Sequence, residues 1–117
     1  MDSLKENSKG QLYHAMTEKQ FQAKVIQFAK MKGWLVHHAR RMQYVSGKWG
    51  TPVQGDTGFV DLVLVHPERG ALFVELKGMT GRLSPEQKAW LHSLEACGLD
   101  ARVWKPDSWQ EIEEALE

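Results

Sequence analysis

The chain has 117 residues, 42% hydrophobic and 26% charged, the size and balance of one globular domain with one core and too little for a second. No run approaches the roughly 18 apolar residues of a membrane span, the first ten residues lack the apolar stretch of a secretory signal, and the single cysteine, Cys97, excludes an internal disulfide and a cysteine-cluster zinc site; a soluble, intracellular, cytoplasmic protein with no membrane partner is expected. Fifteen Lys and Arg balance fifteen Asp and Glu, but residues 107–117 hold five of the acids and no base, leaving the first 106 residues net +5, which suits an anionic partner such as nucleic acid and equally an ordinary solvated surface.

Residues 1–16 are polar and without a period, and read as a mobile or partner-ordered arm with a short helix as the one candidate element; residues 17–117 form the single domain. Thr17-Glu-Lys-Gln20 matches a capping box, and Phe21, Val25, Phe28 and Ala29 recur at helical spacing until Gly33, so an amphipathic helix of about four turns is predicted. A strand follows over 34–40, and then Gly47, Gly50, Pro52, Gly55 and Gly58 break every period, which predicts a long loop over 42–57. Phe59–Val65 and Ala71–Lys77 are rich in β-formers, and the five residues between them are a turn of hairpin length, so two antiparallel strands are expected. Ser84-Pro-Glu-Gln87 opens a second helix with the stripe Trp90, Leu91, Leu94, Cys97; a short strand is expected over 101–105, and Asp107 or Ser108 caps a last helix with Trp109, Ile112 and Leu116 inward.

Chains break local patterns mainly at functional or strained sites. Asp61 lies in Phe59-Val-Asp-Leu-Val-Leu-Val65 between apolar neighbours, and Glu75 repeats the violation in Leu72-Phe-Val-Glu-Leu76; a carboxylate in a buried strand costs several kcal/mol (about 3–5 when left unpaired) unless it is paired, protonated or cation-bound. The two-residue period puts Glu75 and Lys77 on one face with Phe73, and Leu72, Val74 and Leu76 on the other. If the 66–70 turn pairs the strands, Asp61 lies near Glu75, and a divalent cation is what neutralises two clustered carboxylates. An Asp61–Lys77 ion pair at a strand end is the plain alternative. Glu18 shares the stripe of Phe21 and Val25 and should lean toward the sheet, although a first-turn glutamate is also what the helix dipole favours. Gln87 is N3 of its capping box yet sits near the buried face, and both roles can coexist. His37 and His38, adjacent on a strand, point to opposite faces and do not suit one ion.

Gly58-Phe-Val-Asp61, Val74-Glu-Leu-Lys77 and Leu83-Ser-Pro-Glu-Gln87 with Trp90, in this order over about residues 17–105, resemble the VRR-NUC branch of the PD-(D/E)XK, restriction-endonuclease-like nuclease superfamily. Val60 stands where the superfamily motif often has proline. The resemblance implies an α/β fold: a mixed four-stranded β-sheet flanked by helices, in the order αβββαβ plus a C-terminal helix. It also implies Mg²⁺ or Mn²⁺ on Asp61, Glu75 and the backbone carbonyl of Leu76, with Lys77 orienting the attacking water. Glu18 would complete the metal shell or hold its water, and Gln87 would position Lys77 or the scissile phosphate. Such an enzyme needs no organic cofactor. Its expected substrate is DNA, most plausibly branched DNA such as four-way junctions, whose two-fold symmetry suits a homodimer. Arg40, Arg41, Lys48 and Arg82 are the candidate phosphate contacts, and Tyr44 and Trp49 either stack on unpaired bases or pin the loop to the core. A flap or nicking nuclease, a catalytically silent DNA- or partner-binding relative, and a small α/β interaction protein with acidic surface strands remain the competing readings.

Overall fold

A computed structural model describes residues 4–6, 12–14, 16–39, 42–50 and 52–117. In chain order these form β1 (Leu4–Glu6), β2 (Leu12–His14), α1 (Glu18–Met31), β3 (Leu35–His38), β4 (Met42–Gln43), β5 (Trp49–Gly50), β6 (Leu62–His66), β7 (Gly70–Leu76), α2 (Pro85–Ala96), β8 (Asp100–Trp104), a 3-10 turn (Pro106–Ser108) and α3 (Trp109–Leu116). The central sheet has the order β3-β6-β7-β8. Its first three strands form an antiparallel meander, and β8 joins β7 in parallel after the α2 crossover, as a parallel neighbour requires. This is the expected mixed four-stranded sheet between helices.

Both main helices begin where their sequences place them. Thr17 Oγ1 accepts from Gln20 N at 3.0 Å while Gln20 Oε1 accepts from Thr17 N at 2.9 Å, so two otherwise orphaned donors are satisfied reciprocally. Ser84 and Gln87 repeat the device at α2, with Pro85 as the first helical residue. One face of the sheet presents Leu62, Leu64, Leu72, Val74, Leu76 and Trp104, which bury against Phe21, Val25 and Ala29 of α1 and Ile112 and Leu116 of α3. Full burial of each such side chain contributes about 1.5–3 kcal/mol before ordering costs. Trp34 Nε1 donates to Leu116 O at 2.9 Å and fastens α3 across the layer. The opposite face carries a smaller cluster, with Leu91 and Leu94 of α2 packed on Val63, Phe73, Ala101 and Val103. Glu75 belongs to this second face, as strand alternation demands.

The structure departs from the sequence reading in several places. The described residues of the arm, Leu4–Glu6 and Leu12–His14, form a two-stranded antiparallel pair, Leu4↔His14 to Glu6↔Leu12, and not a short helix. The 42–57 loop contains a second such pair, Met42↔Gly50 and Gln43↔Trp49. Segments of two or three residues are too short to display a period of two, which is why neither pair is visible as a pattern. The central strands start and stop differently too: β3 covers 35–38, and β6 begins at Leu62 because Phe59 to Asp61 bend out of the ladder. Cys97 is the C-cap of α2 and exposed, so the apolar stripe ends at Leu94. Among the described residues no helix is long and apolar enough to cross a membrane.

Candidate active site

The polar site forms where β7 ends, β6 begins and α2 starts. The β6–β7 ladder closes at Leu62↔Val74, so the next residues opposite one another are Asp61 and Glu75. Because the chain bends away before Leu62, no β6 backbone carbonyl takes the next N–H of β7. The Asp61 side chain takes it, with Oδ2 accepting from Leu76 N at 2.8 Å. A strand residue directs its N–H and C=O to the same edge, so the Leu76 carbonyl also faces the Asp61 side.

Glu75 is 1% exposed and is the buried charged residue among those described. Gln87 Nε2 donates to its Oε1 at 3.1 Å, and Lys77 Nζ lies 3.8 Å from the same oxygen. Its Oε2 is buried without a partner, one of two such side-chain atoms among the described residues, the other being Trp104 Nε1. Burial, then the neighbouring Asp61 carboxyl, push the Glu75 carboxyl up to about 9, with Glu18 adding to the rise and Lys77 opposing it. A proton on Glu75 is thus how the metal-free site meets the cost of two adjoining carboxylates.

The surroundings hold these groups in place. Gly58 adopts φ 91°, and a Cβ there would meet Glu86 Cβ at 2.6 Å and Gln87 N at 2.9 Å. Only glycine lets the strand's approach lie against the first turn of α2. Trp90 Nε1 donates to Thr57 O at 3.1 Å, and the Trp90 ring packs edge-on to Phe59 at 4.9 Å, fixing the same segment from the helix side. The turn that follows Lys77 leaves room for its stem: Gly81 N donates to Gly78 O at 3.1 Å, and a Cβ on Gly81 would stand 3.2 Å from Lys77 Cδ. Motif spacing names Gly58 and Trp90 without revealing these contacts. For Gly81 the only sequence signal is the paired glycines of Gly78-Met-Thr-Gly81.

Asp61, Glu75, Lys77 and Gln87 therefore converge, whereas Glu18 stands apart. It is exposed at the start of α1, 3.9 Å from where a Gly78 Cβ would lie, and acts on Glu75 through its charge. Among the described residues no three His, Cys, Asp or Glu side chains gather closely enough to hold an ion. Gln87 bonds Glu75, where positioning of Lys77 or phosphate was expected, and Lys77 pairs with Glu75, where the plain alternative paired it with Asp61. Lys48 and Arg82 are exposed; Arg40 and Arg41 lie outside the described residues. The donor set nonetheless fits a hard divalent cation. Two carboxylates and a backbone carbonyl are oxygen ligands, the orphaned Oε2 lacks a positive partner, and Mg²⁺ commonly takes one or two carboxylates and fills its remaining positions with water and substrate phosphate.

A family model described as the VRR-NUC domain matches residues 11–107. Among solved structures, a "VRR_NUC domain protein" superposes with a TM-score of 0.58 at 19% identity, covering 86% of this chain and 91% of that one. A second, "VRR_NUC domain", gives 0.50 at 24% identity over 85% and 94%. No curated protein matches the chain.

Proposed function

The chain belongs to the VRR-NUC family, within the restriction-endonuclease-like superfamily, and from that premise we propose that it is a divalent-metal-dependent DNA endonuclease acting on branched DNA, four-way junctions first, as a homodimer. The observation that carries the reading is the buried Glu75 beside Asp61, with one Glu75 oxygen left without a partner and Lys77 at hand.

Asp61, Glu75 and the Leu76 carbonyl would hold Mg²⁺ or Mn²⁺, which when bound supplies Lewis-acid stabilisation of the phosphoryl oxygens and acidifies a water. Glu18 would hold a water of that shell from outside. The chain's own residues do the rest. Gln87 fixes one Glu75 oxygen by its 3.1 Å hydrogen bond and so leaves the other directed to the ligand. Leu76 N–H fixes Asp61 in the same way. Lys77 orients the attacking water and offsets the negative charge that grows as the phosphodiester is cut. Lys48 and Arg82, with Arg40 and Arg41, would follow the phosphate backbone. The net +5 of residues 1–106 is compatible with that partner.

The test is cleavage of end-labelled four-way junction, flap, single-stranded and linear duplex DNA by wild type and Glu75→Gln with Mg²⁺, Mn²⁺ or EDTA. Paired symmetric nicks in the junction, lost in EDTA and in the variant, are expected. Cutting of flaps or single strands alone keeps the active site and overturns the substrate. No metal-dependent cutting of any DNA overturns the enzyme.

A further inference from the structure

Between β3 and β6 the chain builds a small hairpin that exposes Tyr44, Val45 and Trp49. Val45 at its tip is 110% exposed, Trp49 60% and Tyr44 42%. The tip is nonetheless ordered by its own bonds: Tyr44 N to Lys48 O at 2.7 Å, Gly47 N to Tyr44 O at 2.8 Å and Gln43 Nε2 to Gly47 O at 3.1 Å. Gly47 takes φ 87°, which a side chain would strain, and Gly50 makes room for the Tyr44 ring, since a Cβ there would lie 2.7 Å from Tyr44 Cε2. The sequence over 39–55 contains Arg40, Arg41 and Lys48 and no acidic residue. The chain leaves the sheet for this hairpin at His38, whose ladder partner is Leu62, the neighbour of Asp61.

We infer that the β4–β5 hairpin is the element that reads the branch point: Trp49 and Val45 contact unpaired or unstacked bases there while Lys48 neutralises the adjoining phosphates. The inference rests on the nuclease reading above and adds a base-contacting element to it. Aromatic faces stack on any base, so the contact recognises strand opening and is indifferent to sequence. Large apolar side chains left exposed on an ordered element mark an interaction site, and a segment whose sequence carries Arg40, Arg41 and Lys48 and no acid over 39–55 favours a polyanion over an apolar protein surface. Fully paired duplex offers no free base face, so the hairpin discriminates branched from linear DNA without touching the cleavage chemistry.

Wild type, Trp49→Ala and Val45→Ser are titrated in EDTA with a four-way junction carrying 2-aminopurine at the branch point and with a linear duplex of the same sequence. Unfolding temperature and gel-filtration volume are recorded for each protein. Trp49→Ala should weaken junction binding roughly five- to hundredfold, the range for loss of one stacked base. Its affinity for linear duplex should stay within about twofold, its unfolding temperature should not move, and the 2-aminopurine change seen with wild type should vanish. Variants that bind both DNAs as wild type does, or lose both equally, overturn the inference. So does a changed gel-filtration volume with an unchanged base signal, which makes the hairpin a contact between copies of the chain. If wild type binds no DNA at all, the nuclease reading falls and takes this inference with it.

Discussion

Replacing Glu75 by glutamine should stabilise the metal-free protein, by an amount that grows with pH. The Glu75 carboxyl is lifted from an ordinary 4.5 to about 9 by burial and by Asp61. Between those values the folded protein holds a proton that the unfolded chain has released, so the stability present below pH 4.5 is lost as pH rises toward 9. The steepest slope for one proton is about 1.4 kcal/mol per pH unit. At pH 7.5 the ceiling is about 4 kcal/mol, and relaxation of the site brings the expected cost to roughly 2–4 kcal/mol. Glutamine keeps an oxygen for the Gln87 amide and offers an N–H toward Asp61, so the packing is retained and the titration removed. Urea unfolding in EDTA at pH 5 to 8.5 measures the difference between the two proteins, in which the titration of all other groups cancels. The variant should match wild type near pH 5 and exceed it progressively above. Parallel curves, within about 0.5 kcal/mol throughout, would refute the buried-carboxyl reasoning.

Gly58→Ala forces a side chain into φ 91° and against Glu86; a loss of about 2–4 kcal/mol in urea unfolding is expected, and a loss below about 0.5 kcal/mol would mean the segment does not rest on α2. Gln87→Leu removes both the N–H that holds Glu75 and the acceptor that caps Ser84. It should cost about 1–3 kcal/mol and shrink the Mg²⁺-induced rise in Tm, read by thermal melts with and without metal. Lys77→Met should keep that rise while cleavage drops by at least about a hundredfold; equal cleavage by the variant would remove Lys77 from the chemistry.

Much of this was legible because the physics is local. A hydroxyl three residues before a glutamine announces a capping box at Thr17 and again at Ser84, and both are present. Asp61 and Glu75 stand out as carboxylates in apolar runs, and the short 66–70 turn, by pairing β6 with β7, suffices to bring them together just beyond Leu62↔Val74. What stayed hidden depends on contacts between distant segments. That Gln87 holds Glu75 requires the angle at which α2 meets β7, which no spacing encodes. Glu18 follows the periodicity of the buried stripe yet sits in the first turn, where the helix end leaves it exposed. The bend that delays the start of β6 to Leu62 comes from the close approach of Gly58 to α2, a tertiary demand that overrides the β-propensity of Phe59 and Val60.

The central claim is that Asp61 and Glu75 form a cation site serving hydrolysis. Its most direct test is titration of Mn²⁺ into wild type, Asp61→Asn and Glu75→Gln, following free Mn²⁺ by its electron paramagnetic resonance signal in samples shown by circular dichroism to be folded. The account predicts that wild type removes free Mn²⁺ from solution and that both variants leave it free. Wild type that binds none at roughly millimolar concentration, or variants that bind as well as wild type, would contradict it.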